Sequence, residues 1–483
     1  MNGPLRRLAA VVVVLFAALF ASSTFVQFAD ADSLNKRPGN ARTLYKEYSR
    51  QRGPIVIAGQ EVARSVASQD RYQYRRTYPG GPMYSPVTGF YSVVYGETGL
   101  EDAENGLLAG TADQLFYRRI SDLLTGRRPE GATVELTIDP KLQKIAWDAL
   151  GDQRGAVVAL DPKTGNILAM VSKPSYDANS LAGHDAKKVT AARQALLNDP
   201  TRPLDNRAIA GRLYPPGSTF KLITAAAALS SGKYTDQSVV EGPAELALPQ
   251  TSVKLKNDDD RPCGAGAKVN LVDALRISCN TAFASVGMAV GQDALREEAQ
   301  KFGFGQPLSV PLTVTPSIFP ATLTPPQVAQ SAIGQFDVRV SPLQIAMVSA
   351  AIANGGTLMK PNLVARVRSA DLEVIFTTTP TQLSQPISRS VADQLRTMML
   401  AVVTNGTGTK AQIDGVDVAG KTGTAQSAPG QPPHAWFTSF ASGNGRDIAV
   451  AVVVEDGGRV GDEAFGGTVA APIARAVMEA VVR

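Results

Sequence analysis

Tyr214-Pro215-Pro216-Gly217-Ser218-Thr219-Phe220-Lys221-Leu222-Ile223-Thr224-Ala225-Ala226-Ala227-Ala228-Leu229 decides how the rest of this chain is read. Two prolines and a glycine end whatever precedes them. The residues that follow are apolar nearly all round, which predicts a helix buried on every side. Ser218 falls in its first turn, and Lys221, three positions on, lies on the same face, so the lysine amine can reach the serine hydroxyl. A desolvated lysine near other cations loses its proton close to neutral pH and acts as a base. An oxygen nucleophile at a helix start has backbone N–H groups to receive developing negative charge. The spacing alone is weak evidence, because Ser33-Leu34-Asn35-Lys36 repeats it with no buried helix after it.

Two further segments carry groups of the same kind. Ser278-Cys279-Asn280 follows the apolar stretch Leu271 to Ile277 and precedes Ala282 to Val290. A hydroxyl and an amide two positions apart can both face a cleft, one relaying a proton and the other donating to a carbonyl. Lys421-Thr422-Gly423-Thr424 stands just ahead of the terminal strands. There a lysine adds positive charge, threonine hydroxyls bind a carboxylate and a glycine admits a substrate backbone. Each pattern has a decoy: Ser442-Gly443-Asn444 matches the second, and Lys163-Thr164-Gly165 matches the third but reads as a hairpin turn. Order, spacing and setting together give the three segments their weight.

The rest of the chain frames them. Its 483 residues exceed one ordinary core, so two folded domains are expected. With 44% hydrophobic and 19% charged residues the composition is globular. A net charge of +5 without a basic block argues against nucleic acid as a partner. Two cysteines and two histidines cannot build a four-thiolate metal site, and no metal or organic cofactor is expected. Leu8 to Phe28 is apolar for about the ~20 residues that cross a bilayer, with Arg6 and Arg7 before it and Asp30 and Asp32 after it. That predicts a cytoplasmic tail at 1–7, an anchor at 8–28 and everything else outside the cytoplasm. Ala29-Asp30-Ala31 leaves a cleaved signal peptide as the alternative.

Residues 29–133 are polar and rich in Arg, Tyr and Gly, and predict a small irregular first domain. From Val134 the pattern sharpens. A strand (V-E-L-T-I-D) leads to a helix over Lys141–Leu150, and strands Gly155–Leu160 and Asn166–Ser172 flank a turn. Near the end come a strand over Asp447–Glu455 and a helix opened by Pro472. Strands at both ends with helices between them predict an α+β domain over 134–483, a mixed sheet between helical layers.

Ser-x-x-Lys opening a buried helix, Ser-x-Asn and Lys-Thr-Gly, in that order, are the signature of penicillin-binding proteins and serine β-lactamases. At these residues the chain resembles a class B penicillin-binding protein, a peptidoglycan D,D-transpeptidase, of the short actinobacterial type. Arg52-Gly53-Pro54-Ile55, Gly99-Leu100-Glu101, Thr137-Ile138-Asp139, Pro174-Ser175-Tyr176-Asp177, Asn206-Arg207-Ala208, Ala353-Asn354-Gly355-Gly356 and Gly406-Thr407-Gly408-Thr409 resemble the family's landmarks. Gly334-Gln335-Phe336 departs from it, since many relatives carry a second glycine at Phe336. The resemblance implies a membrane helix, a pedestal-like N-terminal domain and a β-lactamase-like domain with a mostly antiparallel sheet. It implies that Ser218 attacks the D-Ala-D-Ala bond of a stem peptide, with Lys221 as base, Ser278 as proton relay and Asn280 on the substrate amide. Lys421, Thr422 and Thr424 would bind the terminal carboxylate, Gly423 would admit the substrate, and the N–H groups of Ser218 and Thr424 would form the oxyanion hole. β-Lactam antibiotics and a polytopic glycan polymerase are the implied partners.

A β-lactamase or D,D-carboxypeptidase, which pass the acyl group to water, and a non-catalytic scaffold or β-lactam sensor are the alternatives. Against the β-lactamase, the stretch Gly291 to Phe302 lacks a Glu-x-x-Leu-Asn motif, and Glu297 and Glu298 read as the solvated face of a helix. Cys263 and Cys279 are candidates for a disulfide in an oxidising exterior, the alternative being Cys279 as a small buried apolar side chain.

Overall fold

The structure, a computed structural model, describes residues 2–30, 33–34, 45, 47–115, 125–126, 130–426 and 430–483. Ala31, Asp32, Asn35 and Lys36, which entered the topology and decoy arguments, lie outside the described residues. The chain divides into two compact units, Met1–Gln51 with Val66–Arg75, and Arg52–Ser65 with Arg76–Arg483. The first unit carries α1 (Asn2–Thr24), which continues so that Gly3–Ala29 is long and apolar enough to cross a membrane and starts ahead of the expected Leu8.

In the second unit the strands used below are β1 (Ile55–Ile57), β2 (Gln60–Ala67, whose last two residues fall in the first unit), β3 (Thr133–Leu136), β4 (Gly155–Leu160), β5 (Ile167–Lys173), β6 (Val364–Arg368), β7 (Val374–Thr377), β8 (Val418–Ala425), β9 (His434–Gly443) and β10 (Arg446–Val454). The helices used below are α2 (Pro140–Leu150), α3 (Lys221–Ser230), α4 (Asn280–Val290), α5 (Pro342–Ala353), α6 (Arg389–Asn405) and α7 (Gly466–Val482).

Central to the unit is a five-stranded sheet in the order β8-β9-β10-β4-β5. Every neighbouring pair in it is antiparallel, as the family resemblance implies and in place of the mixed sheet that the element pattern alone suggests. Sequence-adjacent antiparallel connections account for three of the four pairs, β10 and β4 meeting from the two ends of the domain: β4 and β5 are joined across Asp161-Pro162-Lys163-Thr164-Gly165, where the Asp161 carboxylate accepts from the N–H of Lys163 and Thr164. The Lys-Thr-Gly decoy is therefore a turn, as expected. Both faces of the sheet are covered, so β4 is buried along its whole length and its side chains divide by alternation. Ala156, Val158 and Leu160 join a core with α3 and α5, while Val157 and Ala159 join a second core with α2 and α7. Parallel pairing occurs instead in a second sheet, where β1 runs parallel to β3 and β6 pairs with both β3 and β7 antiparallel. Through that sheet the expected first domain, 29–133, contributes strands to the same compact unit as the residues that follow it.

The two short motifs of that region meet in space. The Arg52 guanidinium donates to Glu101 Oε2 at 3.0 and 2.9 Å, and Arg76 Nε donates to Glu101 Oε1 at 2.6 Å, with all three side chains buried. Two guanidinium charges hold the Glu101 carboxyl below its usual range although burial opposes them. Phe336, at the departure from the family's glycine, adopts φ +59°, the left-handed backbone that explains why glycine suits the position.

Helix α7 begins six residues before Pro472, which lies inside it. The start escaped the sequence reading because it is Gly466-Gly467, poor helix formers by propensity. Tertiary contact requires them. A Cβ at Gly466 would lie 2.0 Å from the Trp436 carbonyl oxygen and 2.6 Å from that of Gly423. Gly466→Ala is therefore expected to cost about 1–3 kcal/mol through displacement of α7 from β8 and β9, and a thermal melt unchanged within error would refute the close approach.

Candidate active site

The chain enters the site along a held path. Tyr214 pairs with Val340 through its backbone, and its hydroxyl donates to Glu455 Oε1 at 2.7 Å. Arg207 Nε donates to the same oxygen at 2.8 Å, which gives the Asn206-Arg207-Ala208 landmark its place beside β10. Trp436 Nε1 donates to the Pro215 carbonyl at 3.1 Å, and Gly217 N donates to the Gly334 carbonyl at 3.0 Å. Gly217 has φ +53°, and a Cβ there would lie 2.6 Å from the Thr424 carbonyl oxygen, so the serine turn presses directly on the edge strand β8.

Gly217–Phe220 form a 3₁₀ turn that runs into α3, and every residue from Lys221 to Leu229 is buried, as the apolar reading requires. The tight turn sets Ser218 and Lys221 nearly above one another. No hydrogen bond joins them, however. The Lys221 amine bonds the Ser278 carbonyl at 2.7 Å, Ser278 Oγ at 3.2 Å and Asn280 Oδ1 at 2.6 Å. Two of these partners are carbonyl oxygens that only accept, while the Ser278 hydroxyl can also donate, so a neutral amine is accommodated as well as an ammonium, and Ser218 Oγ has no side-chain partner among the described residues.

Ser278 closes a second contact from the opposite wall. Lys421 Nζ donates to Ser278 Oγ at 2.9 Å and to the Thr422 carbonyl at 2.9 Å. Both lysines are wholly buried. Burial lowers the Lys221 ammonium from its ordinary 10.5 to about 7, with the Asp258 carboxylate opposing. Lys421 falls well below its usual range, first by burial and then by the charge of Lys221. Two amines on one hydroxyl in a dry place cannot both hold a proton cheaply. Ser278 has φ +63°, a left-handed conformation for a non-glycine residue, which aims its hydroxyl between the two amines.

These groups open on a cleft of about 360 Å³ lined by Ser218, Ser278, Thr422, Gly423 and Thr424, with Thr407, Lys410 and Phe465 at its sides. Lys421 does not line it. Its amine is enclosed just beneath the cleft surface, where besides Ser278 Oγ and the Thr422 carbonyl it reaches the Thr422 hydroxyl at 3.4 Å. Thr422 Oγ1 bonds Thr407 Oγ1 at 2.7 Å, which places the Gly-Thr-Gly-Thr landmark on the wall next to Lys-Thr-Gly.

Of the opposite wall, Asn257 to Cys263, sequence reasoning named Cys263 and missed the polar residues before it. Asn257 Oδ1 accepts from the backbone N–H groups of Asn280 and Thr281, both at 3.0 Å, and so caps α4 from outside the helix. Asp258 Oδ1 accepts from Asn280 Nδ2 at 2.8 Å. The amide of Asn280 is thereby engaged at both ends within the protein. The Cys263–Cys279 disulfide is formed and ties this loop to the Ser-x-Asn segment, so Cys279 is not merely a small apolar filler. A run of four polar residues, Asn257-Asp258-Asp259-Asp260, gives no local signal that the first two face a reaction cleft. Glu298, expected on a solvated helix face, is buried and paired with Lys301 at 3.0 Å, while Glu297 is exposed as expected. Burial raises the Glu298 carboxyl above its ordinary range, and the nearby lysine makes the position tolerable.

A buried Ser-x-x-Lys turn, a Ser-x-Asn corner and a Lys-Thr-Gly edge strand around one cleft define a class of serine acyltransferase, and the chain belongs to it as a class B penicillin-binding protein of the transpeptidase family. The penicillin binding protein transpeptidase domain matches residues 155–479, and the penicillin binding protein A dimerisation domain matches residues 52–134. Along its whole length the chain is 46% identical to the peptidoglycan D,D-transpeptidase PbpA of Mycolicibacterium smegmatis, covering 99% of that protein. It is 43% identical to PbpA of Mycobacterium tuberculosis, again over 100% of this chain and 99% of the relative. The solved structure of penicillin-binding protein A from M. tuberculosis as a ceftriaxone acyl-enzyme matches with TM-score 0.87 at 44% identity, covering 91% of this chain and 100% of that one. Its imipenem acyl-enzyme matches with TM-score 0.85 at 44% identity, over 90% of this chain and 100% of that one.

The capping role of Asn257 is open to direct measurement. Asn257→Ala strands two buried N–H groups at the start of α4 and is expected to destabilise the fold by about 1–3 kcal/mol in denaturant unfolding, against less than about 0.5 kcal/mol for the exposed Asp259→Ala. Equal effects would refute it.

Proposed function

We propose that the cleft performs D,D-transpeptidation on peptidoglycan stem peptides ending in D-Ala-D-Ala, with Ser218 as the nucleophile. The observation that carries this reading is the pair of buried amines meeting at Ser278 Oγ beside the Ser218 hydroxyl, which has no side-chain partner among the described residues. Ser218 Oγ attacks the carbonyl carbon of the penultimate residue while its proton passes to the neutral amine of Lys221. The tetrahedral oxyanion takes hydrogen bonds from the backbone N–H groups of Ser218 and Thr424. As the C–N bond breaks, Ser278 hands a proton to the departing D-alanine nitrogen and is itself reprotonated from the lysine pair. An amine of a neighbouring stem then attacks the ester, loses its proton to the same relay, and Ser218 Oγ leaves as the restored hydroxyl. Thr422 and Thr424 hydroxyls hold the terminal carboxylate with Lys421 polarising Thr422 from beneath. Asn280 gives up one internal bond to hold the substrate amide, and Gly423 lets the substrate backbone lie against β8.

A β-lactam presents the same amide in a ring. Its acyl group stays tethered after ring opening, so antibiotics of this type acylate Ser218, and the named acyl-enzymes of the M. tuberculosis relative support this. Functionally we divide the chain into a tail at 1–7, an anchor at 8–28, a pedestal-like domain at 29–133 and the transpeptidase domain at 134–483. Arg6 and Arg7 ahead of the apolar helix favour a cytoplasmic N-terminus and an external catalytic domain. A chain that cross-links but does not polymerise glycan works beside a polytopic glycan polymerase.

Two measurements test the assignment. Labelled penicillin is expected to add one adduct to the wild-type chain and none to folded Ser218→Ala, read by intact mass, and an adduct on the variant would sink the nucleophile. The adduct, followed after removing excess drug, is expected to persist for many minutes, whereas loss within seconds would assign a β-lactamase.

The base gives a pH signature. Protonated Lys221 cannot accept the Ser218 proton, so the acylation rate is expected to be flat above the lysine value of about 7 and to fall about tenfold per unit below it. A single-turnover rate that is constant from pH 5 to 8 would contradict Lys221 as base.

A further inference from the structure

Outside the three motif segments, Asp258 reaches most directly into the cluster. It sits on the exposed wall of the cleft, next to the buried Asn257 that caps α4 and within the loop closed by the disulfide. Its Oδ1 accepts from Asn280 Nδ2 at 2.8 Å, and Asn280 Oδ1 accepts from Lys221 Nζ at 2.6 Å, so a carboxylate and an amine hold opposite ends of one amide. An amide turned over keeps its shape but would meet the lysine donor to donor. The acceptors that fix the amide nitrogen are Asp258 and the Lys256 carbonyl, the latter at 3.2 Å.

Charge points the same way. Facing Lys221 are Lys421 from β8 and Asp258 from the loop, while α4 brings Asn280 and the Phe283 ring, 5.9 Å from the amine, and no charge. The Asp258 carboxylate raises both amines against the effect of burial.

Resting on the reading of Lys221 as the acylation base, we propose that Asp258 is a positioning residue for that step: it holds the Asn280 amide with its oxygen toward Lys221 and supplies the anion against which the two buried amines share their protons. The hydrogen bond and the charge are separable. Asp258→Asn keeps an acceptor oxygen and removes the charge; Asp258→Ala removes both. Without the carboxylate Lys221 loses its proton more easily, so the neutral base persists to lower pH and the acid limb of the acylation profile moves down.

The test is the single-turnover acylation rate of the full chain in detergent with labelled penicillin from pH 5 to 9. Asp258→Asn is expected to keep its high-pH rate within about threefold and to shift its limb down by about half to one unit, so that it outpaces the wild type several-fold on the limb. Asp258→Ala is expected to lose about tenfold at high pH, as the amide is released, and Asp259→Asn, on the same wall, to follow the wild type. A labelled wild type with an unmoved Asp258→Asn limb overturns this proposal alone, as does an equal shift in Asp259→Asn. A wild type that takes no label at any pH overturns the catalytic reading and this proposal with it.

Discussion

Two amines enclosed at one hydroxyl are the constraint on which the site depends. Lys221 and Lys421 come from a helix and a strand about two hundred residues apart in sequence and meet at Ser278 Oγ, at 3.2 and 2.9 Å. In water such a meeting would mean nothing, because both amines would be charged and solvated. Buried, they cannot both keep their protons cheaply, and an amine that gives one up near neutral pH is fit to serve as a base. The fold around them is consequently organised to exclude water: α3 is buried from Lys221 to Leu229 and β8 to β10 and β4 are covered on both faces.

Such a meeting demands that three separate segments approach more closely than side chains normally allow. Glycines provide the approach where backbone meets backbone, Gly217 against Thr424 and Gly466 against Trp436 and Gly423. Charge provides it elsewhere. Glu455, at the end of β10, receives Tyr214 and Arg207 and so fixes the strand-like entry to Ser218 to the sheet that carries Lys421. Single buried carboxylates recur as junctions, Glu455 at the site and Glu101 between the two short N-terminal motifs. Guanidinium charge offsets the burial of each, with hydrogen bonds to both oxygens of Glu101, while at Glu455 Oε1 takes the hydrogen bonds and Oε2 only the charges of Arg154 and Arg212 at 3.8 Å.

The cleft's two walls differ in how they are held. Behind Thr422 the wall is a sheet edge braced by α7, and Thr407 bonds to it through a hydroxyl pair. The facing wall is a loop with little regular structure, given shape by Asn257, the Asn280 amide and the Cys263–Cys279 bond. A loop fixed by side chains and a covalent tie can be precise without a core beneath it, which suits a surface that must admit a long peptide on one side and keep the amines dry on the other.

The amino-acid sequence by itself determined which candidate side chains the cleft gathers and the local elements that carry them. A buried helix after Ser218, the β4–β5 hairpin and the α2 pattern follow from periodicity and turn chemistry, which act over a few residues and survive in any context. What only the tertiary structure decided is direction and contact. The Lys221 amine bonds Ser278 and Asn280 rather than Ser218, and Lys421 is enclosed just beneath the cleft surface rather than lining it. Helix α7 starts at two glycines that propensity disfavours, and Glu298 is buried beside Lys301. Asn257 and Asp258 lie in an unremarkable acidic run and become part of the site only because a distant helix start lands on them. Spacing along a chain tells which side chains share a face, but which of several acceptors an enclosed amine takes depends on groups sixty and two hundred residues away, and that choice exists only once the segments are packed.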